Sequence, residues 1–193
     1  MTRGEASTER RMARARRQPR PLDKARLEEL ALAYVARFAT SAAKLERYLA
    51  RKVRERGWAG EREPDLGSLV ERYVALGYVD DTAYARARSG SMLRRGYGPR
   101  RVRQALGEAG IAEQVREEVR PGEATERRAA LALARRRGFG PFGEARPDRQ
   151  RREKQLAAML RAGHPLDSAR EMVDAASEQA AEQWAAGCDD EER

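Results

Sequence analysis

The chain has 193 residues, of which 40% are apolar, 37% charged and only 6% aromatic. Forty Lys+Arg against 31 Asp+Glu leave a formal charge of +9, almost all of the excess being arginine. This composition argues against one thick globular core. The lone Cys188 excludes a disulfide framework, and neither a membrane-spanning apolar run nor a signal-peptide core occurs, so a cytosolic protein is expected.

Residues 1–22 are rich in arginine and poor in large apolar side chains, and a disordered basic arm is expected there. Leu27, Leu30, Ala31, Tyr34, Val35 and Phe38 then fall on one helix face. Thr40 and Ser41 can cap a second helix carrying Leu45, Tyr48, Leu49 and Val53. Asp65 can cap a third with Leu66, Leu69, Val70, Tyr73 and Val74, and Gly77 ends it. These three helices make a first repeat over residues 23–79.

A second repeat is expected over 80–121. Asp80 or Asp81 caps a helix with Tyr84, Ala85 and Met92 on its inner side. Gly96-Tyr97-Gly98-Pro99 breaks the chain, with Pro99 suited to a first helical position. Val102, Ala105, Leu106 and Ala109 follow on one face, then Gly110 and a short helix marked by Ile111, Val115 and Val119.

The third repeat, 122–178, begins near Glu123 and breaks at Gly138-Phe139-Gly140-Pro141. A helix with Leu156, Met159 and Leu160 closes at Gly163, and a last helix after Pro165 places Ala169, Met172, Val173 and Ala176 on one face. Residues 179–193 are expected to be an acidic, fraying tail.

Gly57, Gly110 and Gly163 lie 53 residues apart, each closing a related apolar pattern: Leu49-x3-Val53, Val102-x3-Leu106 and Leu156-x3-Leu160. A period of this length signals stacked supersecondary units. The expected fold is all-α, an elongated array of three tandem three-helix repeats, and the protein is expected to be a monomer.

No residue pattern points to catalysis, a cofactor or a metal. Adjacent carboxylates at Asp80 and Asp81 suit a helix cap better than a metal clamp. His164 is the sole histidine and reads as a cap or a solvated side chain, and the acidic surroundings of Cys188 do not activate a thiol. The Gly96 and Gly138 breaks lack the following Lys-Ser/Thr of a phosphate loop. Tyr97 and Phe139 can stack on bases, although packing between helices is the commoner role for aromatic residues at a break.

The basic balance suggests an anionic partner, nucleic acid foremost. The candidates are Arg94, Arg95, Arg100, Arg101 and Arg103, with Arg135, Arg136 and Arg137 in the related place of the third repeat. Arg100 and Arg103 point away from the Val102–Leu106 arc near a helix N-terminus, where backbone N–H groups also attract anions. A merely solvated charged face fits this pattern as well.

Leu76-Gly77-Tyr78-Val79-Asp80-Asp81-x2-Tyr84-Ala85, followed by Arg94-Arg95-Gly96-x-Gly98-Pro99-Arg100-Arg101-Val102-x3-Leu106-x3-Gly110-Ile111, resembles the RecX family of bacterial recombinase regulators. Ala36-Arg37 before Ser41, and Leu45-x3-Leu49-x2-Lys52, extend the resemblance into the first repeat. Val53 to Arg56 depart from the family, which usually places glycine directly after the lysine matching Lys52, and the third repeat is a looser match. The resemblance implies a non-enzymatic modulator of RecA recombinase filaments on single-stranded DNA, limiting filament growth, ATP hydrolysis and strand exchange. Direct DNA binding is expected to be weak and non-specific. The competing expectation is a free-standing helix-turn-helix regulator built on Val102 to Val119. Glu113, Glu117 and Glu118 on its reading helix oppose that, because phosphates repel them.

Overall fold

The structure, a computed structural model, describes residues 20–187. Ten α-helices and one short 3-10 turn form among the described residues, with no β-strand and one isolated parallel bridge between Leu22 and Trp58. The fold is all-α, a helical repeat. The chain divides after Asp80 into two compact units.

The first unit holds α1 (Lys24–Arg37), α2 (Ala42–Arg56) and α3 (Leu66–Ala75). Each starts at a side chain that satisfies an otherwise orphaned backbone N–H. Asp23 accepts from Arg26 N at 2.9 Å, Ser41 from Lys44 N at 3.3 Å and Asp65 from Ser68 N at 3.0 Å. Caps of this kind stabilise a helix by about 1 kcal/mol each. Hydrogen bonds from the Ser68 N–H and hydroxyl hold the Asp65 carboxyl below its usual range. The apolar stripes meet in a core of Leu27, Ala31, Leu45, Leu49, Leu69, Val70 and Tyr73. The Tyr73 hydroxyl donates to the Glu28 carbonyl at 3.0 Å, and burial raises its phenol pKa.

Leu22, expected in the basic arm, belongs instead to this core and is fully buried. Its N–H donates to the Gly57 carbonyl at 2.9 Å and its carbonyl accepts from Ala59 at 2.8 Å. Arg56 and Arg26 also donate to the carbonyls of Arg20 and Pro21, at 3.1 and 3.3 Å. Residues 1–19 and 188–193, including Cys188, lie outside the described residues.

The second unit contains α4 (Asp81–Arg94), α5 (Pro99–Glu108) and α6 (Glu113–Glu118), followed by α7 (Glu123–Arg137). A 3-10 turn (Gly140–Phe142), α8 (Arg149–Arg161), α9 (Leu166–Val173) and α10 (Glu178–Ala186) complete it. One core gathers Ala85, Met92, Leu93, Val102, Leu106 and Ile111, and another gathers Leu133, Leu156, Met159, Ala169, Met172 and Val173. Helix α7 belongs to both, because Ala129 packs into the first core and Ala130 into the second. The second and third trios therefore share a wall.

The 53-residue period is present in the backbone. Gly57, Gly110 and Gly163 end the middle helix of each trio with φ of 81°, 80° and 96°, a region that glycine enters without strain. The side-chain register needs one correction. Leu160 is 40% exposed, whereas Met159 is fully buried. Counting back four residues from each glycine gives Val53, Leu106 and Met159, so the inward position is kept and the apparent one-residue deletion disappears. Ala176, expected on an inner face, is exposed because α9 stops at Val173.

Residues 179–186, expected in the fraying tail, belong to α10. Ser177 caps this helix by accepting from Ala180 N at 3.1 Å. Ala181 and Ala185 are buried, and Ala181 lies in one cluster with Ala130 and Ala134 of α7. The Arg127 guanidinium sits 4.8 Å from the Trp184 ring centroid and donates to the Trp184 carbonyl at 3.1 Å. An alanine face carries little hydrophobic signal, yet it lets two helices approach closely. No helix among the described residues is long and apolar enough to cross a membrane.

Candidate functional site

Two turns interlock in the second unit, the one before α5 and the one before α9. The Gly98 N–H donates to the Ala162 carbonyl at 2.8 Å, and the Arg100 N–H to the Gly163 carbonyl at 3.2 Å. A Cβ on Gly98 would stand 2.4 Å from the Gly163 carbonyl carbon, and one on Gly163 would stand 2.4 Å from Arg101 N. Glycine is thus required on both sides of the joint by close backbone approach. Sequence reasoning saw only helix breakers here, since contact between distant turns leaves no local periodicity.

His164 completes the joint. It is 1% exposed, and its Nε2–H donates to the Gly96 carbonyl at 3.1 Å. A carbonyl only accepts, which fixes the proton on Nε2 in the neutral ring. Burial pushes the imidazole pKa down, against a smaller upward pull from the Gly96 bond. The expectation of a cap or solvated histidine is therefore corrected: backbone turns on both sides shield it.

Four of the candidate arginines line two clefts. Arg100 and Arg103 line a cleft of about 300 Å³ with Arg116 and Arg120, two cations the sequence reading missed because glutamates surround them. Its apolar floor includes Val102, Leu106 and Val119, and Glu117 and Glu126 share the rim. Arg103 pairs with Glu113 and with Glu117 at 3.6 Å, Arg116 pairs with Glu113, and Arg86 pairs with Glu118 at 2.5 Å. Arg103 holds the Glu113 carboxyl below its usual range, while burial raises that of the half-buried Glu126. The glutamates that argued against a reading helix are thus bound up with arginines of the same trio. Arg101 is exposed, with Nη1 on Gln104 Oε1 at 2.8 Å.

The other place lies where α7 ends. Arg136 and Arg137 line a cleft with Tyr97, Phe139 and Arg161, and Arg136 Nη1 donates to the Arg95 carbonyl. Arg95 lies over Tyr97, 5.6 Å from its centroid. The structure therefore joins Arg95 of the second trio to Arg136 and Arg137 of the third. Arg135 faces away, paired with Glu182 of α10 and 5.7 Å from the Phe142 centroid. Arg94 is exposed and runs back along α4 towards Gly90.

Several of the motif residues lie around the junction of α3 and α4. Gly77 adopts φ of 74° after α3, and Tyr78 is exposed beside Tyr73 at 5.7 Å between centroids. Asp80 precedes α4, Asp81 opens it, and half-buried Tyr84 packs against the core containing Leu106. Among the described residues no three His, Cys, Asp or Glu side chains are grouped to hold a metal ion.

Fold and surface together define an all-α helical-repeat protein with arginine-lined clefts in its second unit. The family described as RecX, second three-helix domain, matches residues 80–119, the α4–α6 trio. A protein named regulatory protein RecX from Myxococcus xanthus is 32% identical over 170 residues, 83% of this chain and 91% of that relative. Another of that name, from Thermus thermophilus, is 42% identical over 106 residues, 55% of this chain and 70% of the relative. The crystal structure of RecX from Lactobacillus salivarius superposes with a TM-score of 0.61 at 16% identity, covering 78% of this chain and 94% of that one. The chain belongs to the RecX family of regulatory proteins.

Proposed function

We propose that this protein regulates RecA recombinase filaments on single-stranded DNA, limiting filament growth, ATP hydrolysis and strand exchange, and that it does so in the cytoplasm as a binding protein without a reaction of its own. The observation that carries the reading is the convergence of arginines from two trios into clefts on one compact unit, in a chain of the RecX family. A filament on DNA carries phosphates, and guanidinium forks match these bidentately. Arg94, Arg95, Arg100, Arg101, Arg103 and Arg135 to Arg137 remain the proposed contact set, with Arg116, Arg120 and Arg161 added. Arg103, Arg116 and Arg135 are the least available of them, because carboxylates already pair with them.

The test is RecA-dependent ATP hydrolysis on single-stranded DNA, titrated with this protein. Inhibition is expected for the wild type and weakened inhibition for Arg100→Glu, whose exposed side chain has no ion-pair partner among the described residues. Direct DNA binding is expected to be weak, unspecific and salt-sensitive, falling about a thousandfold between roughly 50 and 200 mM salt for six phosphate contacts on duplex. Tight binding to one duplex sequence that persists at the higher salt would instead favour the helix-turn-helix reading.

A further inference from the structure

The cleft at the end of α7 differs in chemistry from the rest of this surface. It measures about 260 Å³, and none of its lining residues is a carboxylate. The cleft beside α5, by contrast, includes Glu117 and Glu126, and its Arg103 pairs with Glu113. In the α7 cleft Arg136, Arg137 and Arg161 come together with Arg95 close by, and among the described residues Arg136 has the Arg95 carbonyl as its polar partner rather than a carboxylate. Cations held together without counter-charge repel one another, and an anion from outside offsets that repulsion.

The walls add a second requirement. Tyr97 and Phe139 are both half-buried and both line the cleft, above a floor that includes Leu133. Flat aromatic faces beside guanidinium groups favour an anion that carries a planar ring. The volume is below the range of about 300–1,000 Å³ usual for drug-sized ligands, so there is room for little more than one base and its phosphate. One wall is pinned by hydrogen bonds to the backbone. Tyr97 sits on the turn locked by the Gly98–Ala162 and Gly96–His164 hydrogen bonds, at 2.8 and 3.1 Å, and Arg161 ends the helix that accepts the first of them. The Tyr97 wall therefore need not be ordered on binding, which spares the entropy that ordering removes.

We infer that this cleft seats one nucleotide of a single strand, its base against Tyr97 and Phe139 and its phosphate on Arg136, Arg137 and Arg161. The inference rests on the single-stranded-DNA part of the proposed function and assigns it a place. Bases inside a duplex are already stacked, so the cleft selects single strands without reading sequence.

The experiment compares a labelled oligothymidylate with an abasic strand of the same length by fluorescence anisotropy. Wild type is expected to prefer the oligothymidylate by about tenfold, the contribution of one stacked base. Tyr97→Ala should erase that preference and Tyr97→Phe should keep it, with thermal melts checking that both variants fold. The Arg136→Gln/Arg161→Gln double variant should lower the salt slope of single-strand binding by about 0.7, the loss of one phosphate contact. Equal binding of abasic and base-bearing strands by wild type overturns the inference, as does an unchanged slope in the double variant. Displacement of both strands alike by inorganic pyrophosphate, with Tyr97→Ala unaffected, reduces the site to a general anion site and overturns it too. RecA-dependent ATP hydrolysis, measured with the same variants, separates the two readings. Variants that lose the base preference yet inhibit fully support the cleft and count against DNA contact as the route of regulation.

Discussion

One imidazole is enclosed between two turns of the second unit, and it makes that joint sensitive to pH. Protonating His164 would place a charge in a site where Nδ1 is buried without a partner among the described residues. Its folded-state pKa is therefore lowered from the ordinary 6.5, with desolvation as the main cause. The sign follows from linkage: above 6.5 both states are neutral and nothing changes, but as pH falls the unfolded chain takes up the proton first, and stability is lost until the folded-state pKa is reached. Urea midpoints of the second unit should fall between about pH 7.5 and 5.5, and His164→Gln should flatten that fall. A wild-type midpoint that stays level across the range would refute it. The paired carboxyls of Glu113 and Asp174 are lowered too, so their contribution disappears only in more acidic solution. Core substitutions are plainer. Leu106 is 2% exposed, and Leu106→Ala should cost about 2–5 kcal/mol, whereas Arg100→Glu on the surface should shift thermal stability by within about 0.5 kcal/mol. Leu106 was legible from its helical spacing. His164 was not, because its burial depends on a turn 68 positions away in the chain.

At the scale of elements, the signals that worked were local ones. Ser41 and Asp65, read as caps from the sequence, each cap a helix through a side-chain oxygen, and every trio's middle helix closes on a positive-φ glycine. Such signals depend on a few neighbouring residues, so a sequence carries them intact. Helix α10 escaped because its buried face is Ala181 and Ala185, which read as weakly apolar, and because acidic residues follow it. Its tie to α7 can be tested with Ala181→Asp. A fully buried alanine has no room for a carboxylate and no partner to neutralise it, so a loss of more than about 2 kcal/mol is expected. The emission of half-buried Trp184 should shift to the red in the same variant as the ring gains water. Unaltered emission and an unaltered melting temperature would mean that α10 contributes no packing. The arginine positions were legible only as a list. Which of them converge depends on contacts between helices distant in sequence: Arg135 of α7 pairs with Glu182 of α10, while Arg161 of α8 shares a cleft with Arg136.

Across the whole molecule, the repeat period and the central motif announced three trios, yet the chain divides into two compact units. The difference arises in α7, whose consecutive Ala129 and Ala130 face different cores. Period alone does not reveal a shared helix, because each trio remains complete as a pattern. This division predicts how the protein unfolds. The chain has two tryptophans, Trp58 in the first unit and Trp184 in the second. Trp58 Nε1 donates to the Arg62 carbonyl at 2.6 Å and its ring packs on the first core, so its emission reports that core. Trp184 packs on the core of the third trio and reports the second unit. Single-tryptophan variants, Trp58→Phe and Trp184→Phe, allow each unit to be followed alone in urea. Leu49 is fully buried in the first core, and Leu49→Ala should lower that unit's stability by about 2–5 kcal/mol through an unfilled cavity. In the chain retaining Trp58 the midpoint should therefore fall, and in the chain retaining Trp184 it should hardly move. Leu106→Ala should give the reverse pattern, and since α7 carries side chains from both cores of the second unit, its effect should extend to Trp184, although Leu106 lies in the other trio. Equal midpoint shifts at both tryptophans for each substitution would show a single cooperative transition, and the boundary at Asp80 would then be one of packing without independence in stability.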